Sequence, residues 1–131
     1  MKKIKGIGGI FFRCADVQKT KDWYSKHLGL NVDDYGCTFW QEPLNDGEKS
    51  SQQWSPFAEK SSYFSNMEQQ FMINYKVHDL EALLNELDNS GVEIVGKIEK
   101  YEYGHFGWIM DCDGRKVELW QPMNESVFEN Q

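Results

Sequence analysis

Two segments of this chain repeat the same order of features, and that repetition limits the possible folds more than any single residue does. The segments span residues 7–56 and 70–122. Each opens with an apolar, strand-like run and continues with an aspartate that can cap a helix, Asp16 or Asp79. Each closes with a Trp-x-Pro, which begins at Trp54 or Trp120. A repeated unit predicts approximate internal symmetry, and a cleft shared between the copies is the natural place for a ligand.

The first copy predicts a strand, a helix and then three strands. The strand covers residues 7–14, Asp16 suits the N-cap of the helix, and Gly29 suits the left-handed position that ends it. The remaining predictions are strands at 31–35, 37–42 and 50–57, with a turn over 43–48.

The second copy predicts the same order with a clearer helix. Asp79 caps a segment whose leucines recur at the i, i+3, i+4, i+7 spacing of a helix lying on a sheet, and Gly91 ends it. A tight hairpin is predicted at Asp113-Gly114. The predicted strands are 70–77, 92–95, 106–112 and 116–121, with a loop over 96–104.

These patterns predict an α+β fold of two βαβββ modules within a single domain, residues 1–131. Module one covers residues 4–58 and module two covers residues 69–122. A polar linker over 59–68 joins them, and a polar, frayed tail follows over 123–131.

Composition excludes several classes of partner. The formal net charge of −7 and the lack of a basic stripe disfavour nucleic acid, whereas an acidic surface either serves solubility or attracts a cationic small molecule. Three cysteines without CxxC spacing disfavour a disulfide scaffold or a zinc ribbon. No apolar stretch has the length of a membrane span and no secretory signal is recognisable, so the expected location is the cytoplasm.

Several local motifs resemble those of the vicinal oxygen chelate superfamily, which includes glyoxalase I, bleomycin-resistance proteins and extradiol dioxygenases. The resemblance covers nearly the whole chain and implies two βαβββ modules that curl around a cleft, usually in a homodimer. Residues 101–104 and 54–57 resemble a bacterial glyoxalase-like subgroup. The matching motifs are Asp16 with Trp23-Tyr24 and Leu28-Gly29-Leu30, then Val77-His78-Asp79-Leu80, then the run from Met110 to Leu119.

The resemblance also implies four cleft positions that hold a metal in some members. In this chain they carry Gly9, Gln52, Met72 and Glu118. Glycine offers no donor, and a thioether suits copper(I) better than the metals bound by oxygen ligands. The expectation is therefore no cofactor, with Gln52 and Glu118 as the ligands if a divalent metal binds.

Two charged residues are candidates for the chemistry. Glu118 lies on an otherwise apolar strand, where a cleft position would raise its pKa toward that of a general base. Plain alternation along the strand would instead turn Glu118 to solvent. Arg13 shares the face of Phe11 on a regular strand. By resemblance to glyoxalase I it would grip a substrate carboxylate, and the alternative pairs it with a surface acid.

The remaining candidates are substrate-binding residues. His105 precedes a strand that enters the cleft and could act as an acid or base, although a lone histidine is more often structural. The other residues expected beside the ligand are Phe11, Gln52, Trp54, Met72 and Tyr103. The aromatic residues that could line a pocket and stack on a planar ligand are Phe11, Trp54, Phe57, Tyr63, Phe64, Tyr101, Tyr103, Phe106 and Trp108.

Two functional hypotheses follow. One is a glyoxalase-like lyase or isomerase in which Glu118 deprotonates carbon beside a carbonyl and Arg13 holds a substrate carboxylate. The other is a non-catalytic protein of the bleomycin-resistance type that sequesters a cationic aromatic compound. An extradiol dioxygenase is excluded, because its iron needs two histidines that the cleft positions do not supply.

Overall fold

The structure is a computed structural model that describes residues 3–43, 47 and 49–129. It contains seven strands and two α-helices, in the order βαββ and then βαβββ. Most of the predicted turn over 43–48 lies outside the described residues. The elements are β1 (Ile4–Cys14), α1 (Val17–Leu28), β2 (Cys37–Gln41), β3 (Ser50–Ala58), β4 (Phe71–Val77), α2 (Leu80–Asn89), β5 (Ile94–Tyr101), β6 (Gly104–Met110) and β7 (Lys116–Pro122).

All seven strands belong to one mixed, open sheet in the order β2-β3-β1-β4-β7-β6-β5. The two modules meet at the antiparallel pair β1 and β4, in which Gly9 lies opposite Asn74. Each of these central strands also pairs in parallel with the last strand of its own module. The α+β prediction is therefore correct, and the approximate symmetry places the module boundary at the centre of the sheet.

The helices begin where the sequence predicts. Asp16 accepts a hydrogen bond from the Lys19 backbone N–H, and Asp79 accepts one from that of Ala82. Gly29 adopts the left-handed conformation at the end of α1, with φ 73°. Helix α2 packs on β5, β6 and β7, whereas α1 packs on β3. The main hydrophobic core lies under α2 and consists of Val77, Leu80, Leu83, Leu84 and Leu119.

The strand predicted at residues 31–35 is wrong. Only Val32 forms an isolated bridge, to Cys37. The reason is local, because the Asp33 carboxylate accepts hydrogen bonds from the backbone N–H groups of Tyr35 and Gly36 and so closes a turn. Module one therefore contributes three strands and module two contributes four.

The loop predicted at residues 96–104 is also wrong. Strand β5 continues to Tyr101 and turns directly into β6, with Tyr101 opposite Gly104. The strand was missed because β5 is an edge strand, and most of the residues from Gly96 onward are exposed and polar. The two strands of this hairpin carry the aromatic residues Tyr101, Phe106 and Trp108.

The linker and the tail are both structured. Within the linker, Ser62–Phe64 form a 3-10 turn and Phe64 is fully buried. Glu125–Phe128 form a second 3-10 turn in the tail, and the Met123 N–H donates to the Tyr103 carbonyl at 3.1 Å. The frayed tail predicted from residue 123 is therefore wrong as far as residue 129.

Two expectations from composition can be compared with the structure. Cys14, Cys37 and Cys112 are free thiols. Within the described residues, neither helix has the length and apolar character needed to cross a bilayer.

Candidate functional site

A cleft of about 510 Å³ lies on the sheet face opposite the two helices. The alternation of β7 explains its position. Val117 and Leu119 pack toward α2, whereas Glu118 and Trp120 point to the other side and line the cleft. The alternative in which Glu118 faces bulk solvent is excluded, because its side chain is only 2 % exposed.

Glu118 sits at the floor of the cleft and accepts hydrogen bonds from three side chains. Asn74 Nδ2 donates to one carboxylate oxygen at 2.6 Å. Trp108 Nε1 donates to the other oxygen at 2.9 Å, and the Tyr63 hydroxyl donates to that same oxygen. The donors come from β4, β6 and the linker. The carboxylate is therefore fixed in orientation by three separate parts of the chain.

The charge of this carboxylate is poorly compensated. Burial raises the pKa of Glu118, and the three hydrogen bonds together with the nearby Lys116 charge offset this rise only in part. Burial and the adjacent Glu118 charge likewise raise the pKa of Tyr63, which holds its phenol neutral. Lys116 donates to the Tyr63 carbonyl at 2.6 Å, and burial lowers its pKa. When it is ionised, a buried carboxylate of this kind favours a cationic neighbour.

Aromatic side chains form the walls. On the β5–β6 side, Tyr101 and Tyr103 stack with centroids 5.4 Å apart, and Phe106 packs against Tyr103 at 5.7 Å. Phe57 stacks on Tyr63 at 5.3 Å on the other side. The further aromatic residues that line the cleft are Phe11, Tyr35, Trp108, Trp120 and Phe128.

The charged residues in the lining are all acidic. They are Asp34, Glu99 and Glu118, and no lysine or arginine occurs among the described residues that line the cleft. Such a cleft combines ring faces, which attract cations, with a negative potential. It lacks the cationic group that would bind a carboxylate or a phosphate.

Arg13 has a different position from either sequence alternative. Its guanidinium points toward the linker and donates to four backbone carbonyls, three of the linker and one of Gln69 directly after it. Its Cζ also lies 4.7 Å from the centroid of the Phe64 ring. With its hydrogen-bonding capacity used internally, Arg13 neither reaches a ligand nor pairs with a surface acid. The four acceptors are the carbonyls of Gln69 at 2.8 Å, Glu59 at 2.9 Å, Ser61 at 2.7 Å and Asn66 at 3.0 Å.

Gln52 and Trp54 were placed on the wrong face of β3. The Gln52 amide donates to the Ile7 carbonyl, and Trp54 packs against Phe12 and Tyr24 on the helix side. Gln53 lines the cleft instead. The Trp-x-Pro match between the copies is shifted by an odd number of residues relative to the strand pairing, and a one-residue slip turns every side chain over.

Met72 and His105 are also outside the cleft lining. Met72 is fully buried beneath it, packed with Phe11 and Phe64. His105 shares its face of β6 with Gly107, where a side chain would meet leucines of α2. Its position on the helix side removes the basis for a role as acid or base. Phe11 and Tyr103 do line the cleft as predicted.

The residues at the four metal positions do not suit a divalent metal. Gly9 has no side chain, Met72 is enclosed in the core, and Gln52 faces away. Glu118 alone remains, and its oxygens already accept three hydrogen bonds. The described residues contain no group of three or more His, Cys, Asp or Glu side chains that could hold a metal ion. No reaction step is therefore assigned to a metal here.

Sequence reasoning missed the partners of Glu118. Tyr63 and Trp108 were included only as aromatic residues, and Asn74 was not singled out. A signal for Asn74 was present, because it lies two positions after Met72 and therefore shares the strand face that was expected to line the cleft. No local pattern indicated Tyr63, since its position depends on the folding of the linker.

The sequence matches the model of the Glyoxalase/Bleomycin resistance protein/Dioxygenase superfamily over residues 6–119. The chain belongs to this superfamily. Comparison with curated protein sequences gives no significant match.

Solved structures of the same fold include methylmalonyl-CoA epimerases. The Mycobacterium tuberculosis enzyme superposes with a TM-score of 0.65 at 19% identity, over 95% of this chain and 92% of that one. A methylmalonyl-CoA epimerase in complex with methylmalonyl-CoA and NH4+ gives 0.66 at 16% identity, over 92% and 96%. A variant of the Streptomyces coelicolor enzyme in complex with 2-nitronate-propionyl-CoA gives 0.67 at 16%, with the same coverage. These likenesses establish the fold alone for this superfamily member.

Proposed function

We propose that this protein binds a planar, positively charged organic compound in the cleft. The observation that carries the proposal is the lining itself, in which aromatic faces surround the buried, poorly compensated carboxylate of Glu118. Asp34 and Glu99 add negative charge at the same cleft. An aromatic cation would stack on the walls and neutralise the floor.

The test compares two probes of matched shape and opposite charge. Protonated acridine orange and anthracene-2-sulfonate both carry three fused rings, and quenching of tryptophan fluorescence reports binding near Trp108 and Trp120. The proposal expects the cation to bind and the anion to bind much more weakly. Equal binding of the two probes, or preference for the anion, would contradict it.

A Glu118→Gln variant tests whether the cation binds near Glu118. Two unit charges about 10 Å apart interact by about 1.7 kcal/mol at an effective dielectric constant of about 20, so the loss of this charge should weaken cation binding about tenfold or more. Glu81→Gln is the matched control, because it removes the same charge from helix α2 on the opposite face of the sheet. An equal loss in both variants would indicate a general effect of net charge.

Proton abstraction by Glu118 is the second candidate function, favoured by the burial that raises the pKa of this residue. The epimerases of the same fold suggest methylmalonyl-CoA as a probe. Two observations count against this function. Both Glu118 oxygens already accept hydrogen bonds from protein side chains, and the described lining has no cationic residue to bind the phosphates of coenzyme A. Incorporation of deuterium into methylmalonyl-CoA in D₂O would establish the enzymatic function instead, provided that it is lost in Glu118→Gln.

Self-association is a further part of the proposal. On the helix side of the sheet, β1 and β4 are left uncovered between α1 and α2. Ile7, Ile10 and Phe71 are 45 %, 43 % and 59 % exposed there. The strip lies along the antiparallel contact of two related modules, so a second copy related by a two-fold axis could cover it symmetrically.

Light scattering after size-exclusion chromatography tests this arrangement. The expected result is a dimer for the wild type and a monomer for Ile10→Lys, which places a charge in the strip. A monomeric wild type, or a dimer unaffected by the substitution, would refute the arrangement.

A further inference from the structure

The C-terminal segment, residues 123–129, forms one wall of the cleft. Val127 and Phe128 belong to the lining. The Phe128 ring lies 5.5 Å from that of Tyr103 and 6.4 Å from that of Trp120, measured between centroids. Removal of this segment would open the cleft at that end.

One side chain fixes the segment to the sheet. The Glu125 carboxylate accepts hydrogen bonds from the Ser51 backbone N–H at 2.7 Å and from the Ser51 hydroxyl at 2.5 Å. It also pairs with the Lys76 ammonium at 3.2 Å. Ser51 is fully buried and Lys76 is 7 % exposed, so this anchor lies inside the protein.

The partners on the sheet depend on that carboxylate. The Lys76 Nζ also lies 5.0 Å from the centroid of the Trp120 ring. Burial lowers the pKa of Lys76 despite the Glu125 charge. Removal of one member of a buried, hydrogen-bonded pair leaves the other uncompensated. By contrast, Met123, Asn124, Ser126 and Glu129 are exposed. The Glu125 carboxylate is therefore the buried attachment of the segment. Its exposed end is held by the Met123 N–H, which donates to the Tyr103 carbonyl at 3.1 Å, and by Asn124 Nδ2, which donates to the Glu102 carboxylate at 3.2 Å.

The chain has a suitable pivot before that point. Asn124 adopts the left-handed conformation, with φ 53°, directly after β7 and Met123. Asparagine tolerates this conformation better than most residues, and its hydrogen bond to Glu102 is exposed, unlike the contacts of Glu125. The Glu125 contacts, more than the connection, hold Phe128 over the cleft.

We propose that residues 123–129 are a strap across one end of the cleft, that Glu125 is its latch, and that Phe128 limits the size of the ligand. The strap and its latch are independent of what the cleft binds. The limit set by Phe128 rests on the function proposed above.

Hydrogen exchange followed by mass spectrometry tests the latch without a ligand. In Glu125→Ala we expect exchange at Ser51 and across residues 124–129 to accelerate at least about tenfold, because hydrogen bonds to a charged group are lost. Glu125→Gln keeps an acceptor but not the charge and should show a smaller acceleration. Glu129→Gln removes a charge from the same segment at an exposed position and should leave exchange at Ser51 unchanged.

Unchanged exchange across residues 124–129 in Glu125→Ala would overturn the latch. Acceleration spread evenly over the whole sheet in that variant would also overturn it, since it would show general destabilisation. The milder Glu125→Gln variant repeats the comparison if the alanine variant folds poorly.

Two cations of different size test the role of Phe128. Phenyltrimethylammonium has one ring and acridine orange has three. In Phe128→Ala the ratio of affinities should shift toward the larger cation by at least about tenfold, because pocket size discriminates on that scale. An unchanged ratio would refute the size limit. Failure of both cations to bind the wild type would refute the proposed function and with it the size limit, while the exchange result would still decide the strap.

Discussion

Replacement of Arg13 by alanine is expected to destabilise the protein strongly, although Arg13 is not among the residues that line the cleft. The guanidinium donates to three backbone carbonyls of the linker and to that of Gln69, from an environment where Arg13 is 8 % exposed. At about 1 kcal/mol net for each hydrogen bond, the loss is about 4 kcal/mol. That is a large share of the roughly 5–15 kcal/mol that stabilises a domain of this size.

Urea unfolding, followed by circular dichroism, measures this loss. With a slope of about 2 kcal/mol per molar urea, the midpoint of Arg13→Ala should fall by about 2 M. The urea midpoint of Arg13→Lys should lie between those of Arg13→Ala and the wild type, because a lysine ammonium cannot reach four separated carbonyls. Arg115→Ala is the control. Its side chain is 61 % exposed and pairs only with surface aspartates, so a change below about 1 kcal/mol is expected.

A loss of less than about 1 kcal/mol in Arg13→Ala would refute this reasoning. A variant of normal stability that no longer binds an anionic ligand would restore Arg13 to the substrate-gripping role suggested by the resemblance to glyoxalase I.

Three further expectations concern stability. Burial raises the pKa of Glu118 in the folded protein above its ordinary value, so the stability that Glu118 contributes is present below the unfolded pKa and lost as pH rises through the folded pKa. The melting temperature of Glu118→Gln should therefore rise relative to that of the wild type from acidic to neutral pH, and a constant difference would contradict this. A Cβ on Gly8 would lie 2.1 Å from Asn74 Oδ1, so Gly8→Ala should cost about 1–3 kcal/mol in urea unfolding, unlike Gly6→Ala, whose Cβ meets nothing within 4 Å. Asp79→Ala removes the N-cap of helix α2 and should cost about 0.5–2 kcal/mol by the same assay.

The helices and the repeated order were predictable because their signals are local. An aspartate cap, a leucine stripe and a terminal glycine each act within one or two turns of chain, and the structure contains them where predicted. The β6–β7 hairpin was predictable for the same reason, since Asp113-Gly114 favours a tight turn. The cleft position of Glu118 required the family resemblance, because alternation along β7 fits either face.

The failures at the candidate site and in the tail concern properties that are not local. The face of Gln52 depends on how β3 pairs with β1, and the odd offset between the two copies hides that register. The contacts of Arg13 could not be predicted because its partners are backbone carbonyls, which every residue has. The tail was misjudged because one carboxylate, Glu125, fixes it to Ser51, which lies far away in sequence.

The position of Tyr63 has a consequence for how this protein could be divided. The chain between β3 and β4 is the only covalent link between the two modules, yet it also supplies one of the three donors to Glu118. Co-expression of the modules as two separate polypeptides, cut within residues 59–68, could still rebuild the sheet through the β1–β4 pair. Such a split protein would weaken the hydrogen bonds from Arg13 to the linker carbonyls. It would also leave the Glu118 carboxylate without the Tyr63 hydroxyl as a donor. The linker is thus both a covalent connection and a support for the carboxylate at the floor of the candidate site.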